Sequence, residues 1–299
     1  MSRQRRGRGR VFKVSTSTVL LACTPALLIL VATFALPIVE TLRLSFSKWS
    51  GLGSISWVGL GNFRSLLSNG EFYHSVWITG YFALLSTVGI VAFATSMAVA
   101  ASRRTRLNET LRAIWFLPAI APAAAVAVFW SISVQPLTGL VNGLLGAVGL
   151  GNAHEWLAQP STAIYVIVAV TIWTSIAFPF LLLVGAIDRI PWEIFEAARI
   201  DGASESQQTR YFTLPLIQPV LTMIIVLEFI WNFNGFTLVW AMTKGGPAGS
   251  TTTLPVLLYQ QAFQNGDFGS ASAVGVLGGV FLLAIGMFGL RFTNSRTAV

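Results

Sequence analysis

The chain has 299 residues, 54% of them hydrophobic and only 10% charged, with a net charge of +8. Soluble domains carry roughly a quarter of their residues as Asp, Glu, Lys and Arg, so this composition excludes an ordinary water-soluble fold and points to an integral membrane protein. The single cysteine, Cys23, excludes an intrachain disulfide, and two histidines, His74 and His154, are too few for a structural zinc site.

Residues 1–17 form a basic tail, and MSRQRRGRGRVFK alone holds six Lys and Arg. Such a tail is solvated, binds nucleic acid, or anchors topology. The apolar run 18–39 follows at once. It is longer than a signal-peptide core and lacks a small-residue cleavage site, so it reads as an uncleaved first span. Residues 40–74 are expected on the extracytoplasmic side, where Trp49, Trp57, Phe63, Phe72 and Tyr73 suit an interfacial layer. Five more spans are predicted at 75–101, 113–134, 162–186, 215–238 and 269–290, giving a five-helix core over 75–291 and a short tail at 292–299.

Six spans place both termini on one side. Fifteen Lys and Arg fall on that side, in the tail, at Arg103, Arg104, Arg106 and Arg112, in the 187–214 loop, and at Arg291 and Arg296. Four fall on the other, at Arg43, Lys48, Arg64 and Lys244. The positive-inside rule then puts both termini in the cytoplasm, and topology accounts for the basic tail without nucleic acid. The run Gly245, Gly246, Pro247 and Gly249 predicts a turn at the start of the last outer segment.

No Lys follows a Gly, so no Walker A phosphate loop is present. Uphill transport would need an ion gradient or a separate ATPase. Ion-coupled carriers place several ionisable groups inside their spans; here Glu228 stands alone. Asn232 lies four residues on, sharing its helix face, with Trp231 and Asn234 nearby. Carboxylate, amide and indole together suit a polyhydroxyl ligand by hydrogen bonding and stacking, and they equally suit interhelical hydrogen bonding. Trp130 and Trp173 are further substrate-path candidates, against the plainer alternative of packing or lipid contact.

The segment 190–214 is the most polar between two spans. Pro191 suits a first helical turn. Glu193 and Glu196 favour the positive end of the dipole. Asp201–Gly202 predicts a left-handed stop near Ile200, and Ser204 followed by Gln207 predicts a capping box that restarts the helix. The product is helix, glycine turn, helix, with Ala197 and Ala198 small enough for another surface to come close.

Glu196, Ala197, Ala198, Asp201, Gly202 and Ala203, followed by Thr213, Leu214, Pro215, Leu216 and Pro219, resemble the EAA loop of binding-protein-dependent ABC importer permeases. WVGLGNF (57–63), RAIWFLPAIAPAAAVAVFW (112–130), QPLTGLVNGLL (135–145), TKGGPAGSTTTL (243–254) and YQQAFQNGDFGSASA (259–273) resemble the carbohydrate-uptake branch, over about residues 18–291. The similarity is greatest to the first of that branch's two permeases. The chain departs from the pattern at Lys244, where a glycine is usual, and at Glu228.

The resemblance implies an all-α, six-helix integral membrane protein with the type I ABC importer permease fold. It implies a heterodimer with a second permease, two ATP-binding subunits beneath, and an extracytoplasmic solute-binding protein or lipoprotein above. The expected location is a bacterial or archaeal plasma membrane. The chain itself is then no enzyme and binds no cofactor; ATP and Mg are used by the partner ATPase. Glu196, Ala197, Ala198, Arg199, Asp201, Gly202 and Ala203 become the candidate coupling residues. A sugar is the expected solute. A glycerophospho compound is the alternative within the family; an ion-coupled carrier and a non-transporting scaffold are the rivals outside it.

Overall fold

The computed structural model describes residues 16–101 and 118–294. The basic tail, Arg103, Arg104, Arg106, Arg112, residues 113–117 of the expected third span and most of the C-terminal tail lie outside them. Among the described residues the regular elements are helices apart from a short antiparallel ribbon, β1 (Ser47–Lys48) and β2 (Ser56–Trp57), with Ser47 opposite Trp57.

The first span is one rod built from α1 (Thr16–Leu30), a wide π-turn (Val31–Ala35) and α2 (Leu36–Ser45). Its sequence explains the π-turn. Pro37 cannot donate to the carbonyl four residues back, and its ring crowds that carbonyl. Widening the preceding turn, with Leu36 N–H bonding Val31 O, relieves the crowding. The same device recurs at Thr209–Thr213, just before Pro215. The rod runs six residues past the predicted end at 39, with the exposed 2.7 Å Arg43–Glu40 ion pair on its last turns.

After the ribbon and α3 (Gly61–Leu67), α4 (Gly70–Ala101) starts five residues before the predicted 75. It is the hub of the molecule. Ala94, Ala98 and Ala101 form one buried small stripe on it, which lets two other helices approach closely. Those helices are α8 (Ala177–Ile187) and α11 (Leu214–Phe233). Around the stripe, Phe180, Leu183, Ile217 and Ile224 fill one apolar cluster.

Between α4 and α8 come α5 (Ala123–Ser133), α6 (Leu140–Ala147) and α7 (Ala163–Ser175). A second cluster forms where Ile78 and Phe82 of α4 meet Val126 of α5 and Ile167 of α7. The predicted fourth span, 162–186, is a broken rod: α7 and α8 meet at 46° across Ile176. Pro179 explains the break, because it leaves the Ser175 carbonyl without its helical donor.

Beyond α8 come α9 (Trp192–Ile200) and α10 (Glu205–Gln208), the latter running through the π-turn into α11. The predicted fifth span, 215–238, ends early, at Phe233. Asn234–Gly235 breaks it, and the short α12 (Thr237–Thr243) follows. Gly235 is required there, since a Cβ would lie 2.9 Å from Asn232 O and 3.1 Å from Phe82 Cε1. Next, α13 (Leu254–Tyr259) packs on α4, with Leu254 N–H donating to Thr79 Oγ1 at 2.7 Å. The last helix is α14 (Phe268–Asn294), N-capped by Asp267 through Ser270 N–H at 2.9 Å.

Among the described residues, four helical stretches are long and apolar enough to cross a membrane, and the bent α7–α8 pair, taken as one span, makes a fifth. Among the described residues of the predicted third span, 118–120 are helical and α5 follows after a break at Ala121–Pro122. Ala100 at the end of α4 and Arg199 of α9 line one cleft, so the α4 terminus and the α9–α10 hairpin share one end of the bundle. His74, at the start of α4, lies 3.2 Å by its Nε2 from Gly249 O, so the glycine-rich turn sits at the other end.

Candidate functional site

The hairpin α9–α10 carries the first group of candidates. Its helix ends in a Schellman turn: Gly202 N–H bonds Arg199 O at 3.0 Å, and Ala203 N–H bonds Ala198 O at 2.8 Å. Gly202 takes φ +80° with open space around it, so backbone conformation alone calls for glycine. The predicted capping box is present. Gln207 N–H donates to Ser204 Oγ at 3.3 Å, and Ser204 N–H donates to Gln207 Oε1 at 2.7 Å.

The arrangement divides the candidates by face. Glu193, Glu196, Ala197 and Ile200 form an exposed stripe at helical spacing, and Ile200 is 81% exposed. Ile194, Phe195 and Ala198 form the inward stripe, with Ala198 buried. The alanine pair is therefore split: only Ala197 is free for outside contact, because adjacent residues on a helix point about 100° apart. Arg199, Asp201 and Gly202 are exposed, and Ala203 is half-buried at the turn.

A second group lies deeper. Glu228, Trp231, Asn232 and Asn234 all line one cavity of about 420 Å³ where the end of α11 faces α7 and α12. Asn232 Nδ2 donates to Thr87 Oγ1 on α4 at 3.2 Å, and Asn234 Nδ2 donates to Ile230 O at 2.9 Å. Trp231 packs edge-on against Phe178, ring centroids 5.4 Å apart. Glu228 is only 2% exposed and has no hydrogen bond or ion pair among the described residues. The opposite wall brings Thr171, Thr174 and Ser175, which sequence reasoning missed. Their signal was three hydroxyls within TIWTS, an otherwise apolar segment.

Trp130 and Trp173 lie elsewhere. They meet edge to face at 5.5 Å and line a separate apolar cavity of about 510 Å³ with Trp156 and Tyr165. Trp173 and Thr174 are neighbours in sequence, yet the helix turns them into different cavities. The structure thus joins the four α11 candidates and separates the two tryptophans from them.

The outer turn explains one departure from the family pattern. Lys244 has φ +54°, the left-handed conformation that glycine adopts freely. The turn is then tied by threonines: Thr252 Oγ1 donates to Gly245 O at 3.0 Å and Thr251 Oγ1 to Gly246 O at 2.8 Å.

Comparison with known proteins agrees with these features. The family model for the binding-protein-dependent transport system inner membrane component matches residues 90–298. The trehalose/maltose transport system permease MalF of Thermococcus litoralis is 32% identical over 235 residues, 79% of each chain. The sn-glycerol-3-phosphate transport system permease UgpA of Agrobacterium fabrum is 30% identical, covering 92% of this chain and 94% of its own. In structure, a chain of a bacterial ABC transporter that imports the acidic polysaccharide alginate superposes with a TM-score of 0.83 at 22% identity, covering 93% of this chain and 96% of that one. That likeness shows the fold, and the sequence matches show the rest: the chain belongs to the binding-protein-dependent transport system inner membrane component family, the membrane permeases of ABC importers.

Proposed function

We propose that this permease moves a sugar, received from an extracytoplasmic binding protein, through the cavity beside Glu228 and Asn232. The observation that carries the reading is the lining of that cavity. Amides, hydroxyls and an indole face one space, the mix that hydrogen-bonds and stacks on a polyhydroxyl ring. A relative's name supports the same class, since MalF serves a trehalose/maltose system.

The partners follow from the family. A second permease subunit pairs with this chain, two ATP-binding subunits dock on the cytoplasmic side, and ATP and Mg act there and not on this chain. The exposed stripe of α9 seats in the ATP-binding subunit, where Glu196 and Asp201 provide charge, Ala197 close approach and Ile200 an apolar contact. Six spans with both termini cytoplasmic remain our reading of the topology. The shared end of α4 and the hairpin supports it, since the arginine-rich sequence 102–112 follows directly on Ala101.

A glycerophospho solute is the second reading, because UgpA serves sn-glycerol-3-phosphate. The described cavity lining includes no Lys, Arg or His to receive a phosphate, which favours the sugar. The test is uptake into proteoliposomes holding the chain, its partner permease, both ATP-binding subunits and the binding protein. A sugar accumulates only when ATP is supplied to the ATPase side. Accumulation by the purified chain alone under an ion gradient overturns the reading.

A further inference from the structure

Glu228 is a carboxylate in a membrane-spanning helix, 2% exposed, lining a cavity, with no donor or cation bonded to it among the described residues. Its carboxylate oxygens are not sealed in the protein but open on the cavity, and an ionisable group so placed inside a span marks a solute path by default. Its neighbours do not explain it. Asn232 gives one amide N–H to Thr87, Asn234 gives one to a backbone carbonyl, and Thr174 Oγ1 is committed to Val170 O and Thr171 O.

We infer that Glu228 sets the charge preference of the passage: its missing partner is supplied by the solute, as a protonated amine carried on a sugar ring. This rests on the cavity being the sugar path. The rest of the described lining has no ionisable side chain, so this carboxyl is the one group there that can meet a solute with charge. An ammonium adds an ion-pair attraction to its hydrogen bond with the carboxylate in a low-dielectric space, which a hydroxyl cannot supply. A carboxylate or phosphate on the solute is repelled by the same charge. The cavity would therefore rank amino sugars above neutral sugars and neutral sugars above uronic acids or sugar phosphates.

The test works whichever solute is the natural one. Cys23, the chain's lone cysteine, is replaced by Ser, and Ser175 on the facing wall by Cys. The assembled importer, with cysteine-free partners, is treated with methanethiosulfonate reagents bearing a trimethylammonium, a neutral or a sulfonate headgroup. Modification of the Ser175→Cys thiol is expected in that order of rate. Adding Glu228→Gln should lower the cation-to-sulfonate ratio by about tenfold or more, the scale on which a charged cleft concentrates counter-ions. Labelling with an unchanged ratio overturns the charge assignment and leaves the sugar path standing. No labelling by any reagent overturns both, since the cavity is then closed to solutes. In uptake competition on the same importer with native Ser175, di-glucosamine should compete about tenfold better than cellobiose, and Glu228→Gln should remove the difference. Equal competition in the unmutated protein overturns the amine preference.

Discussion

The N–H of Ala203 donates to the carbonyl oxygen of Ala198 at 2.8 Å, closing the turn at Gly202 between the two helices of the hairpin. That bond fixes the angle between the helix offered to a partner and the helix continuous with α11. On the proposed coupling role, a push on α9 passes this turn into α10 and the π-turn, which run without a break into α11.

Gly202→Val tests that connection. The position has open space, so the defect is conformational: left-handed backbone costs an ordinary residue about 1–2 kcal/mol and a β-branched residue more. The turn should relax to another geometry and swing α9 away from its seat. The expected outcome is normal membrane insertion with loss of transport-coupled ATP hydrolysis in the assembled importer. Normal coupled hydrolysis would show that the turn's shape is dispensable.

The two faces of α9 should respond differently. Glu196→Lys and Ile200→Ser alter only the exposed stripe, so chain stability should change by no more than about 0.5 kcal/mol, while ATPase co-purification and coupled hydrolysis fall. Ala198→Leu overfills a buried site and should cost about 1–3 kcal/mol. Thermal unfolding of the isolated chain in detergent separates the two. Equal destabilisation by all three would contradict the division into faces.

The hairpin was legible in the sequence because its signals are local. Pro191, Gly202, Ser204 and Gln207 each act within one turn of where they stand. Helix ends controlled by tertiary contact were not. The 215–238 span stops at Phe233 because Gly235 must pass close to Phe82 of α4, and nothing near residue 235 announces Phe82. The cavity was half legible for the same reason. Glu228 and Asn232 sit four residues apart on one helix, so their shared face follows from helical geometry. Thr174 and Ser175 reach the same space only because two helices distant in sequence pack together, with the second rod bent at Ile176. Trp130 and Trp173 line a different cavity, and the sequence did not separate them from the α11 group because aromatic type alone gives no direction.

Lys244 should be replaceable by glycine with a gain. Relief of the left-handed strain is worth about 1–2 kcal/mol, offset by about 0.5–1 kcal/mol of extra unfolded-chain entropy. Lys244→Gly should therefore raise stability by about 0.5–1 kcal/mol, and Lys244→Val should lower it. The unfolding midpoint in detergent reads both. A lower midpoint for the glycine variant would mean that the Lys244 side chain contributes a contact outweighing the strain.

Asn142 is fully buried and holds the 135–156 segment together. Its Nδ2 donates to Gln135 O and His154 O, each at 2.9 Å, and its Oδ1 accepts Trp156 Nε1–H at 3.0 Å. Asn142→Leu keeps the volume but strands the His154 carbonyl and the Trp156 N–H, at about 1–3 kcal/mol for each buried group left unpaired. The segment also carries Trp156, which lines the cavity with Trp130 and Trp173. Faster proteolysis within 136–161, with the hairpin unaffected, is the expected result. Unchanged protection there would mean that the segment is held by apolar contacts instead.

Asn232 tests the sugar path apart from the charge of Glu228. Its amide joins α11 to α4 through Thr87 Oγ1 at 3.2 Å, while the residue lines the cavity. If the amide oxygen, which no protein donor occupies among the described residues, accepts a solute hydroxyl, Asn232→Ala loses that bond and the space-filling amide together. One hydrogen bond to a neutral ligand is worth about 0.5–1.5 kcal/mol, so half-saturation for uptake should rise about two- to tenfold. Thr87→Val removes the helix-to-helix bond and leaves the amide free to turn, so it should change stability more than half-saturation. Should Thr87→Val shift half-saturation as much as Asn232→Ala does, the bond between the helices, and not contact with the solute, is what Asn232 provides.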